Sequence, residues 1–98
     1  MSNKKDYVLI VSGNDVIKVA SALSSSLRFK ILCLVNEKGA LDIEQLSKEL
    51  GKSKADVSTH IRLLERAGLL RTSYISGKRG VKKICNSGVK MVRLLLRC

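Results

Sequence analysis

Residues 42–70 read Asp42-Ile-Glu-Gln-Leu-Ser-Lys-Glu-Leu-Gly51-Lys-Ser53-Lys-Ala-Asp-Val57-Ser-Thr-His-Ile-Arg-Leu-Leu-Glu-Arg-Ala-Gly68-Leu-Leu70. Asp42-x-x-Gln45 is a capping-box variant and predicts a helix over Ile43 to Leu50, closed by Gly51. Ser53-x-x-Asp56 predicts a second helix from Lys54 to Ala67, with Gly68 as its stop. Only Gly51-Lys52-Ser53 lies between them, a turn short enough to fix two helices in a helix-turn-helix angle over residues 43–67. Wound at about 100° per residue, the second helix gathers Val57, Ile61 and Leu64 on one side, flanked by His60 and Ala67. Its opposite side carries Ala55, Ser58, Thr59, Arg62 and Arg66. Small and hydroxyl-bearing residues can approach base edges, and arginines suit guanine or phosphate. Ser53 and Lys54 stand at the helix N-terminus, where backbone N–H groups also favour a phosphate.

Downstream, Leu69 to Ile75 and Val81 to Cys85 read as two strands joined by the glycine-bearing turn Ser76 to Gly80, a hairpin over 69–85. Lys78 and Arg79 stand at its tip and Lys82 and Lys83 just beyond, so its basic segment, residues 76–83, can reach the backbone or the minor groove, contacts that position more than they specify. From about Gly88 to Arg97 the spacing predicts a last helix. Its apolar residues Val89, Met91, Val92, Leu94, Leu95 and Leu96 surround a narrow stripe of Lys90, Arg93 and Arg97.

Upstream, Tyr7 to Val11 is a short β-prone run ended by Ser12-Gly13. Asn14 then caps a first helix with Val16, Ile17, Val19, Ala20 and Leu23 as apolar positions. Leu27, Ile31, Leu34 and Val35 follow helical spacing up to Asn36, after a break at Ser24-Ser25-Ser26. The expected order is strand, four helices, hairpin and helix. It is a mainly α chain with a small β-hairpin wing, one winged helix-turn-helix domain over residues 1–98.

Charge supports the same partner. Met1 to Leu50 has seven Lys/Arg against six Asp/Glu, and Gly51 to Cys98 has twelve against two, so nearly all of the net +11 sits in the second half. A bias this uneven suits a protein that lays one face on a polyanion, here double-stranded DNA. With 98 residues and three aromatics, the core is small and aliphatic, and a second subunit would help it. An apolar face on the first and last helices suits a homodimer through Val16, Ala20, Val89, Val92, Leu95 and Leu96. Two-fold symmetry would then set two recognition helices in successive major grooves, roughly 34 Å apart.

No apolar run approaches a membrane span, and Tyr7 to Val11 is too short for a signal h-region, so the expected location is the cytoplasm. Cys33, Cys85 and Cys98 form no C-x-x-C pair, which argues against a disulfide scaffold and a zinc site. Cys33 reads as a buried small hydrophobe, and Cys98 is placed to pair with its mate across a dimer axis. Redox control through Cys85 or Cys98 stays open. His60, the only histidine, borders the core side and reads as a partly buried, hydrogen-bonded residue without a partner nucleophile. Gly51-Lys52-Ser53 mimics the end of a phosphate-binding loop, but it follows a helix, whereas that loop follows a strand. No enzyme, cofactor or metal is implied.

Ala22 to Leu32, Ala40 to Gly51 and above all Val57 to Leu70 resemble the ArsR-type winged-helix transcriptional regulators, a likeness running from about Leu23 to Cys85. The resemblance implies a homodimer built by the first and last helices and DNA binding through the fourth helix and the wing, with Lys54, Ala55, Ser58, Thr59 and Arg62 on the DNA side. Ser25-Ser26 stands where the family usually has Asp-Pro. Asp42 and Glu44 stand where the metal-sensing branch carries its Cys-x-Cys pair, and the carboxylate–histidine set of the last helix is missing, so the resemblance is to members without the metal switch. The N-terminal strand is unusual and either extends a sheet or swaps between subunits. These features describe a sequence-specific regulator, a repressor by occlusion. The alternatives are an architectural DNA-coating protein and a winged-helix module that binds an acidic protein.

Overall fold

The computed structural model describes residues 6–97. In chain order the elements are β1 (Tyr7–Ser12), α1 (Asn14–Leu23), α2 (Ser26–Lys38), β2 (Leu41–Asp42), α3 (Ile43–Leu50), α4 (Lys54–Arg66), β3 (Arg71–Gly77), β4 (Gly80–Asn86) and β5 (Val89–Leu95). Four helices and a hairpin wing form a winged helix-turn-helix. The wing is a three-stranded antiparallel sheet in the order β2-β4-β3, with Leu41 opposite Cys85 and Thr72 opposite Cys85 on the other side. The two-residue β2 was not foreseen in the sequence, because a pair of residues carries no periodicity of its own.

Local chemistry sets the helix ends. The Asp42 carboxylate accepts from Gln45 N–H at 2.8 Å while the Gln45 side chain accepts from Asp42 N–H at 2.9 Å, closing both ways the capping box that starts α3. Gly51 ends α3 at φ +64°, a left-handed conformation that costs other residues a Cβ clash. Ser53 starts α4 by accepting from Asp56 N–H at 3.1 Å. Ser25, which replaces the usual acid, still caps α2 by accepting from Arg28 N–H at 3.2 Å. At α1 the expectation needs correcting: Gly13 is the cap residue and makes no side-chain cap bond, while Asn14 is already helical. α2 also runs past Asn36 to Lys38.

The core lies between the helices and the base of the wing. Val19 of α1, Ile31 and Val35 of α2, Leu46 of α3 and Val57, Ile61 and Leu64 of α4 meet Leu69, Leu70 and Cys85 there, all essentially buried. Each fully buried aliphatic side chain is worth about 1.5–3 kcal/mol against exposure. This packing fixes α4 with one side sealed inward and the other open.

The C-terminal segment is the main correction. Residues 88–97 form no helix; Val89–Leu95 is β5, paired in parallel with β1. Leu9 stands opposite Val92 and Val11 opposite Leu94, and Tyr7 N–H donates to Gly88 O at 2.8 Å. A ten-residue helix apolar on nearly every side has no single face to bury and is marginal in water. The strand Tyr7–Ser12 needs a partner for its backbone groups, and this run satisfies them. Ser87, itself buried, holds the entry by donating to Leu69 O at 2.9 Å and accepting from Val89 N–H at 3.1 Å. An irregularity at the start of the ladder, where Tyr7 faces Val89 but Val8 faces Met91, leaves Lys90 as the extra residue. Val89 and Val92 therefore both point inward, a spacing of three that a helix would share, while Leu95, opposite Ser12, falls on the other face with Met91 and Arg93.

Candidate nucleic-acid interface

The open side of α4 and the wing present one basic surface. Ser53, Lys54, Ala55, Thr59, Arg62 and Arg66 are exposed and Ser58 is half-buried; across a groove from the N-terminal half of α4, Lys78, Arg79 and Lys82 are exposed on the wing. The groove, about 420 Å³, is lined by Lys54 and Ser58 of α4, by Tyr74, Val81, Lys82 and Lys83 of the wing, and by Asp42, Ile43 and Glu44 at the start of α3. Lys78 and Arg79 form the two-residue tip of the β3–β4 hairpin, and Gly80 takes φ +107° to close it.

Not every cation here is free. Lys54 Nζ lies 3.3 Å from Glu44 Oε1, and Lys82 Nζ lies 3.8 Å from Asp42 Oδ2. The Lys54–Glu44 pair is exposed on both sides, is worth at most about 1 kcal/mol and can be exchanged for phosphate, whereas Asp42 is half-buried and also caps α3. Among the described residues Arg62, Arg66, Lys78 and Arg79 have no ion pair within 4.0 Å. Thr59 Oγ1 donates back to Ala55 O at 3.1 Å, which leaves its lone pairs outward as acceptors.

Glu65 was not singled out in the sequence, although it joins the two halves of the surface. From the last turn of α4 its carboxylate accepts from the Thr72 hydroxyl on β3 and from Lys83 Nζ on β4 at 3.3 Å. Burial pushes its carboxyl up, but the bonds from Thr72 and Lys83 and the charges of Lys83 and Arg62 outweigh this and hold it below the ordinary glutamate range. The only sequence signal was an acid left on an otherwise basic stretch.

The residues expected at a subunit interface are placed differently. Val89 lies in the chain's own core, 4% exposed, and Val16 and Val92 pack against that core. Leu95 is half-buried, and only Ala20 and Leu96 are open. The outside of the β1–β5 sheet exposes Val8, Ile10 and Met91, the last two each 54% exposed, with Arg93 beside them opposite Ile10.

His60 is half-buried, with Nδ1 3.0 Å from Arg28 Nη1. Cys33 is half-buried rather than buried. Cys85 is fully buried, and burial pushes its thiol up to about 11, so it is neither reachable nor a thiolate near neutral pH. That removes it as a redox trigger; Cys98 lies outside the described residues. No group of His, Cys, Asp and Glu suited to a metal occurs among the described residues. No helix among them is long and apolar enough to cross a membrane.

A helix-turn-helix with an exposed recognition helix and a basic wing defines a DNA-binding transcription regulator of the winged-helix class. Residues 25–72 match the family model described as bacterial regulatory protein, arsR family. An HTH-type transcriptional regulator of Methanocaldococcus jannaschii, itself uncharacterised, is 39% identical over 70 residues, spanning 71% of this chain and 73% of that protein. The chain belongs to the ArsR family of transcriptional regulators, a family of regulators rather than enzymes. In fold it is similar to HlyU from Vibrio cholerae, with a TM-score of 0.63 at 23% identity over 74% of each chain. It is similar also to a possible transcriptional regulatory protein from Mycobacterium bovis, with a TM-score of 0.66 at 21% identity over 76% of this chain and 75% of that one.

Proposed function

We propose that the protein is a homodimeric, sequence-specific repressor that occludes operator DNA in the cytoplasm, with no metal trigger. α4 enters the major groove with Ala55, Ser58, Thr59, Arg62 and Arg66 toward the bases and nearby phosphates, while Ser53 and Lys54 take a phosphate at its N-terminus. Lys78, Arg79 and Lys82 lie along the backbone or minor groove. The observation that carries this reading is the set of unpaired cations, Arg62, Arg66, Lys78 and Arg79, on one exposed surface beside a sealed helix-turn-helix.

The second copy covers the outside of the β1–β5 sheet, with Val8, Ile10 and Met91 at its centre and Ala20 and Leu96 alongside. Parallel sheets are ordinarily covered on both faces, and a two-stranded sheet is marginal unless something packs on it. The outer face of this sheet, apolar apart from Arg93 opposite Ile10, is therefore suited to self-association, and a dimer would supply the second recognition helix that a palindromic site requires.

The test is selection from a random duplex library across a salt series. Phosphate contacts alone predict a loss on the order of 10³ to 10⁵ between about 50 and 200 mM salt. A palindrome with half-sites about one helical turn apart, retained at the high-salt end, is the expected result. A tightly bound but random pool would mean an architectural protein, and no binding at low salt would mean a protein partner.

A further inference from the structure

We infer a second binding site, for a small organic anion with a carboxylate on a short apolar stem, in the cleft between α1, the start of α2 and the C-terminal half of α4. The cleft holds about 320 Å³, within the range of small-molecule pockets. Lys18 of α1, Arg28 of α2 and Arg66 of α4 converge on it, and no carboxylate lines it. Its apolar wall is Ala22, Leu63 and Ala67, and Leu63 is 38% exposed there.

Arg28 is the group built to receive the anion. Its Nε donates to Ala22 O at 2.8 Å, its Nη2 to Ser21 O at 3.2 Å and its Nη1 to His60 Nδ1 at 3.0 Å. A guanidinium carries five N–H donors, so two remain for a ligand, on a fork already fixed in place. Arg66 has no ion pair among the described residues, and Lys18 has only Asp15 at 3.8 Å, exposed on the surface. Three cations around an apolar wall suit an amphipathic carboxylate. A DNA phosphate would gain nothing from Leu63, and Arg66 is the one residue this cleft shares with the proposed DNA surface.

The site also touches the reading element. Arg28 can donate to His60 only while Nδ1 is unprotonated, and His60 is on α4. An anion on the two remaining N–H groups neutralises the same guanidinium that donates to His60, so occupancy shifts how α4 is held. This consequence rests on α4 being the recognition helix; the binding itself does not.

The experiment titrates the DNA-free protein with sodium octanoate and separately with inorganic phosphate, followed by amide and imidazole NMR shifts. Octanoate should bind at least about tenfold tighter than phosphate, as expected where an apolar stem adds to a charge contact. Its shifts should centre on Ser21, Ala22, Ala67 and the His60 ring. Lys18→Gln and Leu63→Gln, each checked for an otherwise unchanged spectrum, should each weaken octanoate about fivefold or more. Equal affinity for phosphate, shifts centred on the β1–β5 sheet or the wing, or indifference to both substitutions would each overturn the site. Saturating octanoate should then alter affinity for a selected duplex at least threefold, about 0.65 kcal/mol; unchanged affinity would remove the coupling while leaving the binding result intact. Because the titration contains no DNA, it decides the site even if the chain proves to bind no duplex.

Discussion

Arg62 and Thr59 lie side by side on the open face of α4, and their chemistry differs. Arg62 is free to fork onto a guanine or a phosphate, whereas Thr59 has spent its proton on Ala55 O and offers acceptor pairs and a methyl. Arg62→Ala should therefore cost about 1–3 kcal/mol in affinity and relax preference at its own base position. Binding measured on a panel of single-base variants checks this, and a uniform loss across the panel would demote Arg62 to a phosphate contact. Glu65 acts differently, by holding the wing against α4. Its folded carboxyl lies below the ordinary value of 4.5, so its stabilising contribution is complete above that value and is lost as pH falls through the folded one. Unfolding free energy followed from pH 6 to 3 should accordingly fall more in the native chain than in Glu65→Gln. Parallel curves would mean the bonds from Thr72 and Lys83 carry no net stability.

At the scale of elements, what was legible in the sequence was what neighbours in the chain decide. The helix-turn-helix could be read because Asp42 with Gln45, Gly51 and Ser53 set its boundaries through bonds spanning three to five residues. The wing was legible as a hairpin for the same reason, but its turn, read as Ser76 to Gly80, closes to Lys78-Arg79, and β3 starts at Arg71 rather than Leu69, which is buried in the core. β5 was not, because a run of seven residues takes its conformation from a partner at the other end of the chain, and the extra residue Lys90 sets its inward Val89 and Val92 three apart, as in a helix. The recognition face could be drawn from a helical wheel, but the Glu65 tie could not, since it depends on where the wing folds back. Two substitutions separate local from tertiary control of the turn. Gly51→Ala should cost about 1–2 kcal/mol through backbone conformation alone, as a Cβ there meets nothing within 4 Å. Leu46→Ala, which empties the buried position of α3, should cost about 2–5 kcal/mol. Denaturant unfolding measures both, and a Gly51 cost as large as that of Leu46 would mean the turn is held by contacts other than those described.

Across the whole molecule, the cations proposed for DNA and the apolar residues proposed for self-association lie on different elements. Arg62, Arg66, Lys78 and Arg79 are on α4 and the wing, while Val8, Ile10 and Met91 mark the outside of a separate parallel sheet, which also carries Arg93 opposite Ile10. This separation suits a protein that grips DNA with one part and its own copy with another. Ile10→Asp or Met91→Asp would place a charge on that apolar face without touching the core. Light scattering should show each variant shifted to monomer, with weaker duplex binding but an unchanged circular dichroism spectrum. Dimers that persist in both variants would send the interface elsewhere.

The central claim, that two copies of α4 read successive major grooves, is tested most directly by guanine N7 methylation protection on a duplex recovered by selection. The account predicts two protected clusters on one face of the DNA, centred about 10–10.5 base pairs apart, with protection in both lost in Arg62→Ala. A single cluster, or a bound duplex with no guanine N7 protected, would contradict it.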